Sequence, residues 1–132
     1  MVQHLIIGGS DAGISAALRI KVLAPKACVT VMAADAYPNF SICGLPFFLN
    51  GEVTDGRTLA HRTVDDIITH GIDLLLNHKA MAIDPDARQV RGRPADGKDF
   101  RIEYGNLLMA TGNRKFQNAS TSLPLHFIMP CP

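Results

Sequence analysis

Ile6-Ile7-Gly8-Gly9-Ser10-Asp11-Ala12-Gly13 is the stretch that decides the fold. Just before the glycines, His4 to Ile7 is a short apolar run, the pattern of a strand buried in a parallel sheet. After them, Ala12 to Leu23 spaces its Ala, Ile and Leu residues for a helix. That helix stops near Pro25, because the residue before a proline avoids helical angles. Cys28-Val29-Thr30-Val31-Met32 is β-branched and reads as a second strand. Two strands joined by a helix imply a right-handed parallel βαβ unit. Gly8 lets the chain turn tightly and Gly13 lets helix and strand pack closely. The helix N-terminus then offers free N–H groups and a positive dipole end to a pyrophosphate. In this context a glycine-rich turn favours a dinucleotide. Ser10 replaces the middle glycine of G-x-G-x-x-G, so an ordinary βα turn stays open as the alternative. A ribose is usually held by an acid at the end of the second strand. Ala33 stands there, and the nearest acid is Asp35. Either Asp35 reaches the ribose from a shifted loop, or it is a turn residue and backbone makes the contact.

The chain beyond this unit is less regular at first. Pro38-Asn39 marks a turn or loop. Ser41 to Leu49 reads as the beginning of a helix with Ser41 as N-cap. Thr63 to His70 reads as a short helix with Asp65 and Asp66 in its first turn, where acids suit the dipole, and Gly71 ends it. Ile72 to Leu76 is a third strand. From Ala80 to Tyr104 the runs become short and alternating, with turn signals at Pro85-Asp86 and Ala95-Asp96-Gly97. This predicts an antiparallel three-stranded meander. Asn106 to Ala110 returns to a buried strand that ends in Thr111-Gly112. The fold class is therefore α/β, a Rossmann-like parallel sheet with an inserted meander. Placing the glycine turn at a topological switch point gives the order 3-2-1-4 for the parallel strands. Residues 1–112 form the expected domain and residues 113–132 an irregular tail.

Composition narrows the function classes. The 132 residues carry 13 Lys+Arg against 12 Asp+Glu, a formal net charge of +1, which gives no electrostatic footprint for nucleic acid. Hydrophobic residues make up 47% and charged ones 19%, so a folded core is expected rather than disorder. No apolar run approaches the roughly 18 residues of a membrane span. The first residues lack the pattern of a signal peptide, so the expected compartment is the cytoplasm. Cys28, Cys43 and Cys131 are far apart and odd in number, which is no disulfide framework. His4, His61, His70, His78 and His126 are scattered, and no metal site is expected.

Cys43 carries the remaining signal. A cysteine at the start of a helix gains thiolate character from the dipole. By composition alone it is equally a small buried apolar residue. Three segments, however, resemble the pyridine nucleotide–disulfide oxidoreductases: Ile6 to Gly13, then Phe40-Ser41-Ile42-Cys43-Gly44-Leu45-Pro46, then Leu107-Leu108-Met109-Ala110-Thr111-Gly112. Within that family the chain is most similar to the single-cysteine branch of coenzyme A-disulfide reductases, NADH oxidases and NADH peroxidases. The resemblance fades after Gly112.

The resemblance implies FAD as cofactor and NAD(P)H as co-substrate. It implies that Gly8, Ser10 and Gly13 hold the FAD pyrophosphate, with Gly9, Asp11 and Ala12 completing the turn, and that Asp35 is the candidate ribose contact. Cys43 lies against the isoalloxazine as the redox thiol, and Ser41, two residues before it, is a further cofactor-binding residue. The backbone near Ala80 meets the adenine, and Ala110, Thr111 and Gly112 pass close to the FAD. Position 48 is Phe48, so the second cysteine of the dithiol branch is missing. Cys43 is then expected to cycle as a mixed disulfide with a small thiol, such as coenzyme A, or as a sulfenic acid formed from peroxide or oxygen. Ile42 and Phe47-Phe48 depart from the polar and tyrosine residues common in this branch, which leaves the oxidised partner open. Family members are several times longer, with an NAD(P)H domain and a dimerisation domain, and form homodimers. The expectation is a truncated or split piece of such an enzyme. The alternative is a non-enzymatic nucleotide-binding module or an inactive remnant.

Overall fold

In the computed structural model, residues 3–95 and 97–112 are described. The expected tail at 113–132, Cys131 included, lies outside them. β1 (Gln3–Ile7) is central in a four-stranded parallel sheet with β2 (Cys28–Met32), β3 (Ile72–Leu75) and β7 (Asn106–Met109). The order is β3-β2-β1-β7. This is the expected order of the four parallel strands, with β1 pairing to both β2 and β7. β4 (His78–Asp84), β5 (Gln89–Pro94) and β6 (Phe100–Glu103) form the antiparallel meander as a separate sheet.

The near-continuous apolar character of β1 follows from burial on both faces. Alternate side chains of a strand point to opposite sides. Ile6 enters a cluster with Ile14, Ala17, Val29, Val31, Ile67 and Ile72, which joins the sheet to α1 (Asp11–Leu23) and α3 (Val64–Thr69). Leu5 and Ile7 enter the other cluster, with Met32 and Val90 of β5 and, at its margin, Phe100 and Ile102 of β6. The sheet is therefore covered by helices on one face and by the meander on the other. Fully burying each Leu, Ile or Val side chain contributes about 1.5–3 kcal/mol.

Local signals explain most element ends. The Thr63 hydroxyl accepts from the Asp66 N–H at 3.1 Å and caps α3. Gly71 follows that helix at φ 74°, in the left-handed region that glycine enters without penalty. The helix expected from Ser41 to Leu49 is a correction. A 3-10 turn spans Ile42–Gly44, and α2 spans only Leu45–Leu49. Ser41 makes no side-chain capping bond. Pro46 explains the difference, because it lies in the first turn of α2. In a helix begun at Ser41 it would be interior, where its ring clashes and its missing N–H breaks a bond.

Candidate functional site

The carboxyl ends of β1, β2 and β7 carry most of the singled-out residues along one edge of the parallel sheet. In open α/β sheets, ligands bind outside that edge. Gly8 leaves β1 at φ 120°, with its N–H donating to the Met32 carbonyl at 2.8 Å. The Ala110 N–H donates to the Ile7 carbonyl at 2.8 Å, which brings the Ala110-Thr111-Gly112 segment beside the turn. A β-carbon on Gly8 would collide with the Ala110 carbonyl, and one on Gly13 with the Gly8 carbonyl. A β-carbon on Gly9 would stand 2.8 Å from that of Ala33. Only glycine allows these three approaches.

Ser10 precedes α1 in extended geometry and makes no side-chain capping bond, and Asp11 and Ala12 open the helix. The first-turn amides are thus not capped by their own serine and stay open to an anionic group. A cradle of backbone closed by glycines, at the head of a 13-residue helix, fits the diphosphate of a dinucleotide such as FAD. Asp11 places its own carboxylate at that helix end.

Ala33 is buried, its N–H bonded to the Leu75 carbonyl and its carbonyl taking the His78 N–H, both at 2.9 Å. Asp35 is exposed two residues further on, and its carbonyl accepts from the Asn77 N–H at 3.1 Å. These bonds launch β4 from the sheet edge. Ala80 packs against the second cluster, on a strand whose other edge pairs with no described strand.

Cys43 lies on an excursion closed at its base. Phe40 bridges Ala60, and the Ser41 N–H donates to the Leu59 carbonyl at 2.9 Å. Cys43 is exposed inside the 3-10 turn rather than at the N-terminus of a full helix, a second correction. The five-residue α2 that follows has little dipole to offer. Ile42 is 71% exposed, and Tyr37, Phe47 and Leu49 are exposed too. Cys28 opens β2 and is also exposed. It stands at the opposite, amino edge of the sheet from the glycine cradle.

Sequence reasoning missed Asn39, which it placed in a loop. The side chain is buried at 5% exposure, and the residue adopts φ 54°. The signal available was the residue type, since Asn tolerates the left-handed region better than most. Its partners are distant in sequence and left no pattern to read. Among the described residues no three His, Cys, Asp or Glu side chains gather as a metal site. No helix among them is long and apolar enough to cross a membrane.

Comparison with known proteins gives one family. The chain is 38% identical over 110 residues to an NAD(P)H sulfur oxidoreductase (CoA-dependent) of Pyrococcus abyssi, covering 82% of this chain and 24% of that protein. It is 33% identical over 108 residues to an NAD(P)H coenzyme A polysulfide/persulfide reductase of Pyrococcus horikoshii, with the same coverage. The chain thus spans about a quarter of the length of the curated relatives it matches. Its fold superposes on the water-forming NADH oxidase of Lactobacillus brevis with a TM-score of 0.80 at 27% identity, over 85% of this chain and 25% of that one. The family model for pyridine nucleotide-disulphide oxidoreductases matches residues 2–124, past Gly112, and the chain belongs to that family, which implies FAD as cofactor.

Proposed function

We propose that this chain supplies the first half of the FAD site of an NAD(P)H oxidoreductase in which Cys43 is the single redox thiol. The observation that carries the reading is a convergence at one sheet edge: the glycine cradle, the Ala110–Gly112 segment and the base of the Cys43 excursion. In the enzyme, this chain's Gly8, Gly9, Ser10, Asp11, Ala12 and Gly13 hold the diphosphate. Asp35 and the backbone near Ala80 border the adenosine end, and Ala110, Thr111 and Gly112 border the flavin end. The chemistry a bound FAD supplies is two-electron transfer from NAD(P)H to sulfur or oxygen.

Cys43 provides the attacking sulfur. Its thiolate attacks a disulfide, persulfide or polysulfide sulfur, one S–S bond forms as another breaks, and a thiol or hydrosulfide departs. The relatives named for coenzyme A-dependent sulfur reduction favour a small sulfur compound over oxygen or peroxide as the oxidised substrate. Phe48 stands five residues after Cys43, so no internal disulfide forms there. The remaining parts of the catalytic unit come from sequence matching the other three-quarters of the relatives.

The test is FAD binding by the purified chain, followed by quenching of flavin fluorescence on titration. Saturable binding that Gly13→Val abolishes is the expected result. Equal binding by Gly13→Val and the parent would remove the glycine-turn assignment.

A further inference from the structure

Asn39 makes four hydrogen bonds to two separate stretches of the chain, residues 9–11 and 61–62. Its N–H donates to the Gly9 carbonyl at 2.6 Å, and its own carbonyl accepts from the His61 N–H at 3.2 Å. With the amide nitrogen turned towards Asp11, Nδ2 donates to Asp11 Oδ1 at 2.8 Å and Oδ1 accepts from the Arg62 N–H at 3.2 Å. This orientation gives donor and acceptor each a partner. It suits a side chain that is 5% exposed, because a buried amide left unbonded costs about 1–3 kcal/mol.

Each tie has a mechanical consequence. Residue 39 immediately precedes the Phe40–Ala60 bridge that closes the Cys43 excursion. The bond to Gly9 therefore fastens the base of that excursion to the glycine turn. The bonds to His61 and Arg62 fasten the returning segment of the same excursion, and Arg62 Nη1 continues to Asp66 Oδ2 of α3 at 2.7 Å. The bond to Asp11 holds a carboxylate at the head of α1 on the Asn39 side of the turn. That matters at a helix end, where a second anion must share the same positive field. The backbone of residue 39 pays for this geometry by entering the left-handed region at φ 54°.

We propose that Asn39 is the positioning residue that sets the Cys43 excursion against the dinucleotide turn, by holding Gly9, Asp11 and the 61–62 segment at once. The inference deepens the proposed function and rests on it for its consequence in catalysis. Its geometry can be tested without any ligand.

The experiment is amide hydrogen exchange on the purified full chain. Asn39→Gly keeps a residue that accepts φ 54° and removes the side-chain bonds, while it also frees the backbone, an effect that Asp11→Ala and the reciprocal pair below do not share. It is expected to speed exchange at residue 39, Ser41 and His61 by tenfold or more, while the β1 and β2 amides keep their protection. Asp11→Ala, which leaves residue 39 and its backbone intact, is expected to loosen the same amides to a lesser degree. The reciprocal pair Asp11→Asn with Asn39→Asp exchanges donor and acceptor across the contact and is expected to restore slow exchange, which Asn39→Asp alone does not. Exchange at Ser41 and residue 39 within twofold of the parent in both Asn39→Gly and Asp11→Ala would overturn the proposal. So would failure of the reciprocal pair to protect better than Asn39→Asp. Loss of protection throughout β1 and β2 in Asn39→Gly would assign the residue to global stability and overturn it as well. A parent chain that binds no FAD would instead sink the functional reading and leave these exchange rates unchanged.

Discussion

Gly13 rests its α-carbon against the carbonyl of Gly8, so closely that a side chain at 13 would collide with it. This contact joins α1 to the end of β1, and it sets how near a ligand can come to the helix amides. Gly13→Val must push helix and strand apart, which costs about 1–3 kcal/mol or more in a packed interior. The expected outcome is a lowered urea midpoint together with loss of FAD binding. A variant that keeps the parent's midpoint would show that the turn yields without strain.

Cys43 and Cys28 are both exposed, but they belong to opposite edges of the sheet. The length of β2 separates Cys28 from the cradle by roughly 16 Å, at about 3.3 Å per residue. Cys28 is thus an internal reference. With iodoacetamide and mass spectrometry, saturating FAD is expected to slow labelling of Cys43 severalfold and to leave Cys28 unchanged. Equal responses of the two thiols, or none in either, would separate Cys43 from the cofactor site.

Ile14 is 1% exposed and sits in the cluster between α1 and the sheet, whereas Leu49 is 82% exposed. Ile14→Ala is expected to lower stability by about 2–5 kcal/mol, through lost burial and the cavity left behind. Leu49→Ala is expected to change it by less than about 0.5 kcal/mol. Denaturant unfolding of both variants checks the contrast. A small effect at Ile14 would contradict the placement of α1.

Asp55 caps the turn that follows the Cys43 segment, and the Arg57 guanidinium bonds its carboxylate at 2.9 Å. Those hydrogen bonds hold the Asp55 carboxyl below its ordinary 3.8. A depressed carboxyl contributes stability above its unfolded value, and that contribution is lost as pH falls through the folded one. Observing the Asp55 side-chain carbon by NMR, the midpoint is expected below 3.8, and Arg57→Gln is expected to raise it. A midpoint that ignores Arg57→Gln would mean that the pair does not persist in solution.

Much of this architecture was legible as local pattern. Gly8 and Gly13 between an apolar run and a helical one specified the βα turn. The change from buried to alternating runs marked the meander between β3 and β7, and Thr63 and Gly71 marked the ends of α3. The split of the expected Ser41–Leu49 helix was also written locally, in Pro46, because proline is tolerated in the first turn and excluded from the interior.

What the sequence determined by itself was α1, α3, the four parallel strands with their order, the meander, and the sheet edge at which the glycine turn lies, because strand and helix periods and glycine's missing β-carbon act over a few neighbouring residues. Only the tertiary structure decided that Asn39 is buried among Gly9, Asp11, His61 and Arg62, and through it where the Cys43 excursion is fastened. Those partners come from segments up to 30 residues away on either side. The physical reason is that a hydrogen bond depends on distance and direction in space, and neither is fixed by the local chain until the sheet has brought the segments together.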